Sequence, residues 1–153
     1  MLLPFIEVKS IEQNTPLADI VNTITVSIKA NCDLLPGSTV TVIGLTGAVT
    51  ADGALRVVDQ AGGFDSQGQW LNGGNLTLTS VGMLRRQTYE ARFNLTNPPS
   101  SQASPSISVR ASVKSVFGDI SPIVTTGMTK TGAELLGVVN GSDPLEVLSL
   151  IHI

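Results

Sequence analysis

Cysteine, histidine and charge are all scarce in this 153-residue chain. The single cysteine, Cys32, excludes an intrachain disulfide. A buried, unreactive thiol is the expectation there, with an intermolecular bridge as the alternative. The single histidine, His152, stands in an apolar tail with no second histidine or cysteine beside it. That excludes a histidine-based zinc site and a histidine-based catalytic triad. Charged residues are 14% of the chain, against roughly 25% in ordinary soluble domains. The nine lysines and arginines are scattered and the net charge is −3, so there is no basic patch for nucleic acid. No apolar run approaches the roughly 18 residues of a membrane span. The opening Met1–Val8 has no basic start and no small-residue cleavage site, so it does not read as a secretory signal. An exported form would carry its signal outside these residues.

Groups for chemistry are equally sparse. Asp52, Asp59 and Asp65 share one loop-rich stretch, but their spacing matches no EF-hand, and solvent-facing loop carboxylates are the expectation. Gly62-Gly63 and Gly73-Gly74 have no lysine and read as turns, not as phosphate loops. Without a positioned acid, base or nucleophile the chain is expected not to be an enzyme, and to need no cofactor or metal. Aromatic residues are only 4%; Trp70 is either a core plug or, beside its turn, an exposed sugar-stacking ring.

What the chain does contain is period-two alternation. Ile24, Val26 and Ile28 alternate with polar neighbours, as do Val40 and Val42, Leu76 and Leu78, Tyr89 to Leu95, and Ile107 to Val113. Leu55 and Val57 mark one more short strand. Gly, Pro, Asn and Asp separate these segments, and helical periodicity is nearly absent, with at most one turn over Ala133 to Val139. The pattern predicts an all-β, antiparallel sandwich of about seven to nine strands. A closed barrel or jelly roll is the alternative.

Both ends are apolar. Leu2, Pro4, Ile6 and Val8 fall on one face of an extended segment, and Pro144 to Ile153 has almost no polar face. Strands of this kind need a partner, and an unpaired edge is a template for another chain. Residues 1–12 are therefore expected to be a linker or donor strand, with Leu2, Leu3, Pro4, Phe5, Ile6 and Val8 as its assembly residues. Residues 13–153 are expected to form the sandwich domain. Asn75-Leu76-Thr77, Asn94-Leu95-Thr96 and Asn140-Gly141-Ser142 match the N-glycosylation acceptor pattern. Asn75 and Asn94 fall on the polar parity of their strands, and Asn140 in a Gly-Ser-Asp-Pro turn. Serine and threonine supply 30 residues of a charge-poor chain, a surface that glycans would help to keep soluble.

Three fragments in order carry a resemblance. Ile11-Glu12-Gln13-Asn14-Thr15-Pro16 with Asn22-Thr23-Ile24-Thr25-Val26 is the first. Pro36-Gly37-Ser38-Thr39-Val40 through Gly44-Leu45-Thr46-Gly47 is the second. Tyr89 through Asn97-Pro98, then Gln102 and Ser106-Ile107-Ser108-Val109, is the third. Together they resemble an uncharacterised repeat module of large secreted or surface proteins in eukaryotic algae and other protists, over most of residues 5–150. The resemblance implies an Ig-like fold and no enzymatic role. It also implies a linker whose first half is Asp143-Pro144-Leu145-Glu146-Val147 and whose second half is Phe5 to Gln13, so that one copy's end meets another's start.

The expected function is an extracellular or cell-surface structural subunit that assembles head to tail with other copies of itself by strand donation, carrying covalent glycans. The alternative is a monomeric adhesion or carbohydrate-binding module. A viral tail or capsid component also fits an all-β, low-charge chain, but it does not account for the acceptor sequences or the three motifs.

Overall fold

The computed structural model describes residues 3–117 and 120–148. His152, Leu2 and the end of the apolar tail lie outside the described residues. The strands are β1 (Ile6–Gln13), β2 (Val21–Ala30), β3 (Thr39–Ile43), β4 (Gly53–Arg56) and β5 (Gln67–Leu71). They continue with β6 (Asn75–Thr79), β7 (Thr88–Thr96), β8 (Ser108–Lys114), β9 (Ile120–Gly127) and β10 (Thr129–Lys130). One sheet has the order β10-β1-β2-β7 and the other β4-β5-β6-β3-β8-β9. The two form an Ig-like β-sandwich. Alternation dictates the core: β2 buries Asn22, Ile24, Val26, Ile28 and Ala30, and β7 buries Tyr89, Ala91, Phe93 and Leu95. From the second sheet Val40, Val42, Trp70, Leu76, Leu78, Val109 and Ala111 join the same apolar cluster. Apart from Thr41, which is also buried, the residues between them in sequence are half-buried or exposed, as one dry face per sheet requires.

The N-terminal segment departs from its even-numbered apolar face. Residues 6–13 are a strand of the chain's own sheet, paired with β2 from Ile6↔Ala30 to Gln13↔Ile24. A bulge between Ile6 and Val8 places one extra residue opposite β2. That shift exchanges the faces, so Ile6 is buried but the later inward residues are Ile11 and Gln13, and Val8 is only half-buried. The chain also changes sheets near its end: β9 pairs with β8, and after Met128 alone β10 pairs in parallel with β1. The stretch from Ala133 to Val139 makes turns, with Leu135 and Val138 bridged to each other.

The two glycines of the Gly44-Leu45-Thr46-Gly47 fragment have a steric reason. Both have positive φ, and a Cβ on Gly44 would collide with the Ser106 carbonyl, one on Gly47 with the Gln102 amide.

Candidate functional site

β1 runs the length of the sandwich, and so defines two poles roughly 20–25 Å apart at about 3.3 Å per residue. The chain enters at one and leaves at the other.

At the exit pole a buried polar cluster replaces apolar packing. Gln13, Asn22 and Asn97 are all nearly inaccessible. The Asn22 amide donates to Gln13 Oε1 at 2.7 Å and to Asn97 Oδ1 at 3.0 Å, while its own Oδ1 accepts from the Asn14 and Thr15 N–H groups. Asn97 Nδ2 donates to the Thr15 and Leu17 carbonyls. Gln13 reaches the C-terminal segment: its Nε2 donates to the Gly141 and Glu146 carbonyls, its Oε1 accepts from Leu145 N–H, and its backbone N–H donates to the Ser142 carbonyl. Gln102 adds Nε2 bonds to the Thr46 and Leu145 carbonyls and a bridge to Val147. Leu145, fully buried, plugs this end. Among the described residues no buried side-chain nitrogen or oxygen lacks a partner, as a stable polar cluster requires. The motif residues Gln13, Asn22, Asn97 and Gln102 are therefore the fastening of the exit pole.

The entry pole is apolar and exposed. Asn31 holds the incoming chain: its Nδ2 donates to the Leu3 carbonyl, its Oδ1 accepts from Phe5 N–H at 2.8 Å, and its N–H donates to the Phe5 carbonyl. The side chains of Leu3 and Phe5 remain in solvent, as do Val116, Phe117 and Ile120 of the β8–β9 hairpin and Val124 of β9. Phe117 is 88% exposed and Val124 78%. A cleft of about 390 Å³ lies here, lined by Pro4, Cys32, Leu35, Val113 and Val116 among others. β9 is the last strand of its sheet, and among the described residues its outer edge is unpaired. Cys32 is half-buried, not fully buried. Burial pushes its thiol pKa up, the Asp33 carboxylate adds to this, and Arg85 opposes it.

The expected site residues fall in different places. Of the donor residues, Ile6 and Val8 are paired with β2, while Leu3, Pro4 and Phe5 precede the strand. Asn94 is exposed on the outer face of β7, where its Oδ1 accepts from the Thr23 hydroxyl. It opens on a second groove, of about 420 Å³, with Arg56, Val58 and Arg92. Asn140 is exposed in a turn with φ of 58°, and Asn75 is half-buried at the start of β6. The three loop carboxylates are not brought together: Asp59 accepts from the Ala61, Gly63 and Phe64 N–H groups, Asp65 from Gln67, and Asp52 from Asn72. Each ties its own loop. Among the described residues no three His, Cys, Asp or Glu side chains assemble as a metal site, and no helix is long and apolar enough to cross a membrane. Trp70 is 1% exposed, with its indole N–H donating to the Thr50 carbonyl at 2.9 Å. It is a core plug and offers no ring to a sugar.

The chain matches no family model and no curated protein. Among solved structures it is similar to ACE19, the collagen binding subdomain of the Enterococcus faecalis surface protein ACE. The TM-score is 0.44 at 9% identity, covering 80% of this chain and 94% of that one. The β-sandwich implied by the three motifs is present; none of these matches supports an algal or protist source.

Proposed function

We propose that this chain is a non-catalytic binding module of an extracellular or cell-surface protein, working through its entry pole and the adjoining β9 edge. The observation that carries this reading is a set of exposed apolar side chains, Phe117 in the β8–β9 turn and Ile120 and Val124 on β9, a strand whose outer edge is unpaired among the described residues. An incoming strand would take main-chain hydrogen bonds from β9 and set apolar side chains against that set. The proposed partner is a polypeptide, because what β9 offers is a main-chain edge that an incoming strand can pair with.

A second reading has another copy as the partner. It is favoured by the chain's entry and exit at opposite poles, which lets the exit pole of one copy face the entry pole of the next. Such a contact is heterologous and extends into a filament unless it closes into a ring. Leu3, Pro4 and Phe5 are then the donor residues at hand, and Ile6 and Val8 take part only if β1 is exchanged between copies.

Beads carrying the chain test both readings in flow over surfaces coated with the same chain or with extracellular-matrix protein. Wild-type beads are expected to be retained, and Phe117→Lys/Val124→Lys beads about ten-fold less, as loss of about 1.4 kcal/mol predicts. Retention on the chain's own surface alone identifies self-association. Equal retention of wild type and variant on every surface contradicts both readings.

Glycans belong to the same proposal. Asn94 and Asn140 are accessible acceptors and Asn75 a poorer one, being half-buried. Glycopeptide mass spectrometry of native material is expected to show occupancy at the first two above that at Asn75. Unmodified asparagine at all three positions would remove glycosylation from the account.

A further inference from the structure

We propose that the sandwich is a load-bearing link, in which tension between the entry and exit points is carried in shear by the β1 ladder and handed to the C-terminal segment through Gln13. This goes beyond the binding reading and holds whatever the poles engage. Residues 3–5 enter beside Asn31, and residues 145–148 leave beside Gln13, Pro16 and Gln102. A pull along that axis draws β1 toward the entry pole and the C-terminal segment away from it.

Ladder hydrogen bonds lie perpendicular to an antiparallel pair. The pull therefore loads the pairs from Val8↔Lys29 to Gln13↔Ile24 together, where a pull across them would open one pair at a time. β10, nearer the C-terminus, lies parallel to β1 at Ser10↔Thr129 and Ile11↔Lys130 and is drawn the opposite way, so that contact is sheared as well. Gln13 closes the path. The residue that ends β1 bonds directly to Gly141, Ser142, Leu145 and Glu146, the segment by which the chain leaves. Asn31 fastens the other end by gripping both Leu3 and Phe5.

Single-molecule force spectroscopy on the full chain tests this with two pulling geometries. The first has handles at the two chain ends. The second has one handle at the N-terminal end and one on Cys32, which stands just beyond β2 at the entry pole and needs no substitution. That second geometry peels β1 from β2 pair by pair. End-to-end rupture force is expected to exceed the peeling force by about two-fold or more. Equal forces in the two geometries would overturn the proposal. Gln13→Leu is expected to lower the end-to-end force and leave the peeling force unchanged; an equal proportional fall in both would remove Gln13 from the load path. The wild-type comparison decides the main point even if that variant does not fold.

Discussion

Replacing Trp70 by alanine is expected to destabilise the fold by about 3–5 kcal/mol, the usual cost of deleting a buried large aromatic side chain. Trp70 belongs to the same apolar cluster as Phe93 and its cross-strand partner Leu76, and is 1% exposed. Its removal leaves a cavity that the two sheets, held apart by their own side chains, close only in part. The indole N–H bond to the Thr50 carbonyl is lost as well, leaving that carbonyl to the Asn72 side-chain amide alone. For a chain of this length the melting temperature is expected to fall by roughly 10–15 °C. Calorimetry is the right measurement, since the substitution removes the chain's one tryptophan and its fluorescence. Trp70→Phe retains most of the volume and loses only the hydrogen bond, for about 1–2 kcal/mol. A Trp70→Ala protein that melts with the wild type would place the ring outside the core and restore it as a surface contact.

Gln13→Leu is expected to cost about 3 kcal/mol by a different mechanism. Volume and burial are nearly conserved, so the packing loss is small. What is lost is the set of partners: the Asn22 amide, the Leu145 N–H and the Gly141 and Glu146 carbonyls are left facing an apolar side chain at this pole. Each buried polar group stripped of its partner costs about 1–3 kcal/mol, and local rearrangement recovers part of the total. The signature is local as well as global. Amide exchange in residues 141–148 is expected to accelerate more than in β3 or β6, because that segment is held at this pole by hydrogen bonds to Gln13 and Gln102 rather than by a strand ladder. Uniform acceleration across both sheets would mean that Gln13 supports the sandwich in general and is not the fastening of the exit pole.

The strands with one dry face were legible in the sequence because burial on a single face imposes strict alternation. β2, β6, β7 and β8 are of this kind, while β3 alternates in residue type although Thr41 is buried along with Val40 and Val42. β9 was not, because seven of its eight residues are exposed and only Ile123 is buried, so no alternation marks it. Pro122 within it argues against a central strand and is tolerated only at an edge. The exposed set that carries the functional proposal was hidden for the same reason. β5 was obscured by Gly68, whose missing side chain accommodates Leu76 and breaks the hydrophobic rhythm.

The N-terminal face was misread at the bulge, since one extra residue opposite β2 exchanges inward and outward positions and leaves no compositional trace. The motif residues Gln13, Asn22, Asn97 and Gln102 were visible as letters, but their purpose was not. A side chain that bonds across 132 residues, as Gln13 does to Leu145, has no local signal. Their separation in sequence reflects one place in the fold.

The most direct test of the account is whether the entry pole and the β9 edge are what this module binds with. Beads carrying the Phe117→Lys/Val124→Lys chain are compared in flow with wild-type beads, after calorimetry has shown equal melting temperatures. Both side chains are solvent-exposed, so the substitutions are expected to leave the core intact. The account predicts wild-type retention on the chain's own surface or on matrix protein, reduced about ten-fold in the variant. Wild-type and variant beads retained equally, at equal stability, would contradict it and move the binding surface to another face of the sandwich.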